Sequence, residues 1–472
     1  MNYIIIDQGT SSTKGFLFNS SGQILHRKRI KCVLNKPEKF HAESDPEIIL
    51  RDIKELFHKM VNLSGDSKIE HTGISIQRST FLFWEKSTCR PVTPAISWQD
   101  CRASDISENL QSYKRKLWSI TGTPLNAHYG GPKFLHMLKK HPSLERKIKK
   151  GELYFGSLSA FLTHAITGTA AIDESIACRS LFYNIHKGAW SRFALDLFQV
   201  PKNCLPPIVP VKHNYGKMFD TSISLSIVIG DQQAALIGHK GIQKTSIATN
   251  FGTSGSIQYN VGEKLINVSG LISSVLYSDR NKKVFMVEGT IKGCNSLFYH
   301  LEERLAILHK DMQWNERTKL VKTEGVFIPG FNGLAAPYWK DGFDDLLINL
   351  ENDPNEIIRA AMESIGFLTN DILNCIASEG IKLPKTLTAS GGGAKSTLLQ
   401  FIADVTGITI NRSLLKDKTA IGVYRLLSGD GLTQILEESN QKAYYPKNIV
   451  GLNIKKEIWR KNIKKLLGPE LF

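Results

Sequence analysis

Residues 1–32 read MNYIIIDQGTSSTKGFLFNSSGQILHRKRIKC. An apolar run at 3–6 stops on Asp7, small residues fill a turn at 9–13, and a second strand follows at 14–18. Ser20-Ser21-Gly22 is a hairpin signal, and 23–32 continues as a third strand. The spacing predicts a β-meander whose first strand ends on an acid. Residues 46–63 then set Ile48, Ile49, Ile53, Leu56, Phe57 and Met60 at helical spacing behind an Asp45-Pro46 start. A strand is predicted at 71–76 and helices at 134–138 and 157–166.

The pattern recurs further on. A buried strand at 225–229 runs into Gly230-Asp231 and a small-residue helix at 232–238. Strands at 245–251 and 255–260 flank a Gly-Thr-Ser-Gly turn. A long amphipathic helix is expected at 355–376, a strand at 386–389 entering Ser390-Gly391-Gly392-Gly393, and a helix at 398–406. Two halves, each with a small-residue turn beside a strand, predict two α/β lobes meeting at a cleft. The break is placed near 238–243, giving lobes 1–239 and 240–472, with a C-terminal tail from about 436. Its final helix is expected to turn Ile458, Ile463 and Leu466 inward and its lysines to solvent.

Composition sets outer limits. Of 472 residues, 42% are hydrophobic and 22% charged, the balance of a soluble globular chain. No apolar run approaches the length that spans a bilayer. The first residues lack a basic region and a cleavage site, so they read as a strand and not a signal peptide. Seven cysteines, all isolated and odd in number, argue against a disulfide framework or a structural zinc site. A reducing, cytoplasmic setting is expected. The formal charge of +16 is spread along the chain, with small clusters at 147–150 and 455–465 and no nucleic-acid-binding motif beside them. It reads as a solvated basic surface, with neither nucleic acid nor membrane as partner.

Four segments carry chemistry. In Asp7-Gln8-Gly9-Thr10-Ser11-Ser12-Thr13-Lys14, an acid at a strand end precedes amides and hydroxyls suited to phosphate oxygens. Such an acid suits Mg²⁺, which takes one or two carboxylates beside phosphates. A plain hairpin with a capping aspartate fits these residues equally. In Gly230-Asp231-Gln232-Gln233, the carboxylate is either a general base at a cleft rim or the N-cap of the next helix. Asn250-Phe251-Gly252-Thr253-Ser254-Gly255 and Ser390-Gly391-Gly392-Gly393-Ala394-Lys395-Ser396 let backbone approach a nucleotide, and a helix starting near Lys395 would aim its N-terminus at phosphate. Neither has the spacing of a P-loop or a Rossmann fingerprint.

Taken in order, these segments resemble the FGGY family of carbohydrate kinases, most closely its glycerol kinase branch. The resemblance spans nearly the whole chain, through residues 43–46 (ESDP), 73–78, 83–86, 95–102 (AISWQDCR), 121–133 and 182–186. It continues through 230–236, 327–339 (FIPGFNGLAAPYW) and 390–407 (SGGGAKSTLLQFIADVTG). It implies a two-lobed actin-like, ribonuclease H-like α/β fold with an interlobe cleft. It also implies ATP and Mg²⁺ as cofactors and a small sugar or polyol as acceptor. Position by position, Asp231 matches the catalytic base and Asp7 the magnesium-associated acid. Thr10, Ser11 and Lys14 match the phosphate-facing turn, with Lys14 where arginine is usual. Thr253, Gly293, Gly392, Gly393 and Ala394 match nucleotide contacts, and Arg78, Trp98 and Gln232 polyol contacts.

Three departures bear on the acceptor. Ser79 stands where glycerol kinases carry a glutamate, His128 where they carry a tyrosine, and Ser256 where an aromatic packs on the glycerol carbons. Lost hydroxyl partners change specificity strongly, so a four- or five-carbon polyol or ketose is expected, with glycerol itself as the alternative. A non-catalytic nucleotide-binding protein on the same fold is the alternative of another class, and the joint presence of Asp7, Asp231 and Arg78 speaks against it. Relatives are commonly dimers or tetramers, so a homodimer is expected.

Overall fold

The computed structural model describes residues 1–472 except 244, 332, 430–441 and 469–472. The opening meander forms as expected: β1 (Asn2–Gln8), β2 (Ser12–Asn19) and β3 (Ile24–Lys31) pair antiparallel in sequence. β1 is buried along its whole length, which explains its continuous apolar run. β3 is the sheet edge, and Arg27, Lys28, Arg29 and Lys31 give it the charge that discourages edge-to-edge pairing. Helix α1 (Pro46–Leu63) covers one face. Asp45 Oδ1 caps it by accepting from Glu47 N and Ile48 N, and Ile49, Ile53, Leu56, Phe57 and Met60 point into the core.

Three more strands complete the first sheet: β4 (Ile69–Ile76), β5 (Lys212–Lys217) and β6 (Ser224–Gly230). Its order is β5-β6-β4-β1-β2-β3, with β1, β4 and β6 mutually parallel. The second sheet holds β7 (Ile247–Phe251), β8 (Gly255–Gly262), β9 (Ile272–Ser278), β10 (Lys283–Ile291), β11 (Thr386–Ser390), β12 (Thr409–Arg412) and β13 (Lys442–Tyr444). Its order is β9-β10-β8-β7-β11-β12-β13. The pattern β3-β2-β1-β4-β6 of the first sheet thus returns as β10-β8-β7-β11-β12, with the same parallel and antiparallel pairings. One architecture is built twice.

Among the helices, α2 (Gly130–Lys140) packs Phe134 and Met137 with Phe81, Phe83 and Phe155, and α3 (Glu174–Ala177) lies against β6 and β9. Helix α4 (Asp231–Lys240) follows β6. In the second half, α5 (Asn295–Arg304), α6 (Pro354–Ser378) and α7 (Ser396–Thr406) cover the second sheet. Helix α8 (Lys418–Ser428) packs onto the first sheet and crosses α4. At the crossing, a Cβ on Gly238 would overlap the Lys418 carbonyl, and one on Gly422 the Ala234 carbonyl. The two backbones meet only because both positions are glycine.

The final helix, α9 (Leu452–Leu467), buries Ile463 and half-buries Ile458 and Leu466. Its lysines are not all solvated as expected: Lys455 is buried, paired with Glu363 of α6 and donating to Thr323 O at 2.8 Å. The expected start of the tail near 436 lies outside the described residues.

Candidate active site

The carboxyl ends of neighbouring parallel strands are where open α/β sheets bind ligands. Here β1 ends at Asp7-Gln8, β4 runs into Gln77-Arg78, and β6 into Gly230-Asp231. Asp7 Oδ1 accepts from Ser75 Oγ at 2.9 Å on the adjacent strand, so the acid does not cap the following turn. Burial raises its pKa, opposed by the Lys14 ammonium 3.6 Å from Oδ2. Lys14 also lies 3.3 Å from Asp417 Oδ1, and Arg27 holds the other Asp417 oxygen at 2.7 Å. The turn closes through Gly9 N to Ser12 O, 3.1 Å, which leaves Ser11 exposed and Thr10 half-exposed.

Asp231 is the first residue of α4, after the cap residue Gly230, so it does not occupy the N-cap position. Its Oδ1 accepts from Gln232 N at 2.7 Å and sits 3.7 Å from Arg78 Nε. Burial pushes its pKa up to about 6, with Arg78 pulling it down and the charge of Asp7 pushing it up. The side chain keeps about a quarter of its surface exposed. The result is an open carboxylate, ionised at neutral pH yet more basic than an ordinary aspartate.

The second lobe supplies a facing wall. On β8 and β10, Ser256 pairs with Thr290 and Gln258 with Glu288. Opposite residues of an antiparallel pair share a face, and so do alternate residues, so these four polar side chains stand together. Gln258 Nε2 donates to Gln232 Oε1 at 3.2 Å across the lobes. Glu288 accepts two bonds from Arg78, 2.8 and 3.0 Å, and one from Arg179 Nη2, 2.6 Å. The two guanidiniums hold its pKa down to about 2 despite burial. Trp98, 39% exposed, donates from Nε1 to Thr10 Oγ1 at 2.8 Å, and Thr10 donates on to Gln77 Oε1 at 3.1 Å. Ser79 is buried with φ of +60°, a left-handed backbone that serine rarely adopts. Burial lowers the His128 pKa to about 4, so its ring is neutral, with Nδ1 3.9 Å from Cys101 Sγ. Its neighbour Tyr129 is the one that adjoins Arg78, Arg179 and Glu288.

Glu288, Arg179, Tyr129, Gln258 and Asp417 were not singled out from the sequence. A usable signal existed for two of them: Gln258 and Glu288 are polar residues flanked by apolar ones, Ile257 and Tyr259 and Val287 among them, inside buried strands. The other three lie in loops or turns where no local pattern marks them.

The glycine turns converge at the carboxyl ends of β7 and β11. Gly393 N donates to Phe251 O at 2.7 Å, Asn295 N to Gly252 O at 3.0 Å, and Ser296 Oγ to Thr253 O at 2.9 Å. Gly391 has φ of +97°, and a Cβ there would collide with Phe251 O. Thr253, Gly391 and Gly392 are exposed, Ala394 is buried, and Gly293 rests against Phe331. The helix after the triple glycine begins at Ser396 with Lys395 as its cap residue, but the amide of Thr397 is already taken by Asn315 Oδ1 at 3.2 Å. One first-turn donor of that helix is thus already engaged, while the backbone at Gly391 and Gly392 is exposed. No group of three or more His, Cys, Asp or Glu suited to a metal occurs among the described residues, and none of their helices is long and apolar enough to cross a membrane.

Residues 2–238 match the N-terminal domain of the FGGY family of carbohydrate kinases, and residues 247–428 its C-terminal domain. Glycerol kinase 2 of Thermotoga maritima is 30% identical over 439 residues, 89% of this chain and 88% of that one. The crystal structure of Plasmodium falciparum glycerol kinase with ADP superposes with a TM-score of 0.89 at 24% identity, covering 99% of both chains. A xylulose kinase from Lactobacillus acidophilus gives 0.84 at 19% identity, covering 100% of this chain and 99% of that one. The chain belongs to the FGGY family of carbohydrate kinases: it is an ATP-dependent phosphotransferase with an alcohol acceptor, on the two-lobed actin-like α/β fold.

Proposed function

We propose that this kinase phosphorylates a hydroxyl of a polyol or ketose longer than glycerol, with Asp231 as the base. The observation that carries the chemistry is the placement of that carboxylate: partly open, at a strand end, bonded to the Gln232 amide and 3.7 Å from Arg78 Nε, where burial raises its pKa to about 6. A base is most useful when its pKa lies close to the working pH. The acceptor hydroxyl gives its proton to Asp231 as the terminal phosphoryl of ATP moves in line. Orientation and electrostatics do most of the work in such transfers. The amides at Thr10 and Ser11 and the exposed Ser11 hydroxyl receive phosphate oxygens, with Lys14 beside them. Thr253, Gly293, Gly392, Gly393 and Ala394 cradle the nucleotide. A lone buried carboxylate at a strand end fits magnesium, which keeps several waters. Asp7 would hold that ion, which when bound offsets charge on the phosphates.

In this reading residues 1–239 carry most of the acceptor site and the phosphate-facing turn, and 240–472 the rest of the nucleotide site, with Ser256 reaching the acceptor from the second lobe. Arg78, Trp98, Gln232, Ser79, His128 and Ser256 line the acceptor. The paired Ser256 and Thr290 offer small hydroxyl-bearing side chains where an aromatic would fill space, which supports a longer acceptor. The 30% identity to a glycerol kinase favours glycerol as the second reading. A panel of kcat/KM values over glycerol and four- and five-carbon polyols and ketoses separates the two; a clear preference for glycerol would end the first. Seven free cysteines support a cytoplasmic setting, and a homodimer is the assembly we infer from the family resemblance.

A further inference from the structure

Lys133 on α2 is fully buried, and no step above uses it. Its ammonium donates to three carbonyls: Ser79 O at 2.8 Å, Ser97 O at 2.7 Å and Ile96 O at 3.4 Å. Three N–H bonds meet three acceptors, which is the full capacity of the group. Burial lowers its pKa to about 7, and Asp100, itself bonded to Ala42 N and Arg102, is the counter-charge that opposes this.

The carbonyls belong to two separate chain segments. One is the turn after β4 that bears Arg78 and Ser79. The other is the end of the short strand Ala95–Ile96, directly before Trp98. We infer that Lys133 is a positioning residue of the acceptor site, fixing Ser79 and Trp98 relative to one another from inside the lobe. The inference rests on the proposed reading that those two residues line the acceptor. Two observations support it independently of Lys133's pKa. Ser79 holds a left-handed backbone without being glycine, a state that persists only where the surroundings impose it. Trp98 passes its placement on to the phosphate-facing turn through the Thr10 and Gln77 bonds. A lysine that only stabilised the core would change how much protein folds, but not discriminate between acceptor and nucleotide.

The test uses the full chain as Lys133→Met, Lys133→Gln, Trp98→Phe and the Lys133→Gln/Trp98→Phe double variant. Folding is checked by circular dichroism, and KM and kcat are measured for ATP and for the best acceptor of the panel. Lys133→Met should raise the acceptor KM about 10- to 100-fold, the cost of a displacement near 1 Å at a reacting group. ATP KM should stay within about twofold, and Lys133→Gln, which keeps N–H donors, should recover part of the loss. In the double variant the KM effects should be non-additive, because both changes cut one chain of contacts. If Lys133→Met does not fold, the Gln variant and the double variant carry the test. An unchanged acceptor KM in folded Lys133→Gln beside a raised one in Trp98→Phe overturns this inference alone. An unchanged acceptor KM in Trp98→Phe sinks the acceptor-site reading beneath it. Equal rises in the ATP and acceptor KM values also overturn it.

Discussion

Replacing Glu288 with Gln while removing Arg179 as Arg179→Met leaves a balanced pair in the cleft, Arg78 and Asp231. Arg78 now spends its fork on Glu288 and only its Nε approaches Asp231, at 3.7 Å. Without Glu288 the guanidinium is free to close on Asp231 to the roughly 2.8 Å of a charge-assisted bond. At an effective dielectric of about 20, the attraction grows from about 4.5 to about 6 kcal/mol. The difference, about 1.4 kcal/mol, corresponds to about one pKa unit. Asp231 must be unprotonated to act, so kcat/KM of the parent should rise through its acid limb at about pH 6. The double variant should move that limb down to about pH 5 and lower the plateau, because a weaker base drives proton transfer less. The single Glu288→Gln change strands the buried Arg179 cation and should cost about 3–5 kcal/mol of stability; the paired change avoids that. A pH profile of kcat/KM for both proteins is sufficient. An acid limb that stays in place, or moves upward, would refute the claim that Glu288 keeps Arg78 off the base.

Asp231→Asn should lower kcat by about 10²–10⁴-fold while nucleotide affinity, read by calorimetry, stays the same; lost nucleotide binding in folded protein would count against the base assignment. Gly391→Ala must force a left-handed backbone and displace Phe251 O, so it should destabilise the fold by more than about 1 kcal/mol and raise ATP KM with little effect on the acceptor. Lys455→Met removes one of the two cations held by buried Glu363, leaving Arg359 on it at 2.6 Å, and should reduce stability by about 1.5–3 kcal/mol in a denaturant titration, without changing KM for either substrate.

Legibility in the sequence followed the range of the interactions. The opening meander, helix α1 and the strand-ending acids Asp7 and Asp231 are set by alternation, capping and small-residue turns within a few residues. Those local terms can be read from the chain directly. The Arg78–Glu288 bond joins residues 210 apart, and Lys14 meets Asp417 across 403. No periodicity marks such a pair, and the family resemblance pointed at Arg78 without its partner. Helical spacing likewise assigned Lys455 to solvent, because the pattern weighs position and not the reach of a long side chain to Glu363.

The repeated strand order explains why the chemistry divides as it does. Both sheets end their central parallel strands at the cleft, so each presents backbone turns to the same space. The first sheet fills those ends with acids, Asp7 and Asp231, which in the proposed reading take a proton and balance charge on phosphate. The second fills them with Gly252 and Gly391–Gly393, which in that reading let backbone come close to a nucleotide. An exchange of these roles would put carboxylates against the nucleotide's own negative charge. At the α4–α8 crossing, Gly238 and Gly422 let the helix after β6 lie directly against one from the second half of the chain. Two further bonds join the halves near Asp231: Arg78 to Glu288 and Gln232 to Gln258.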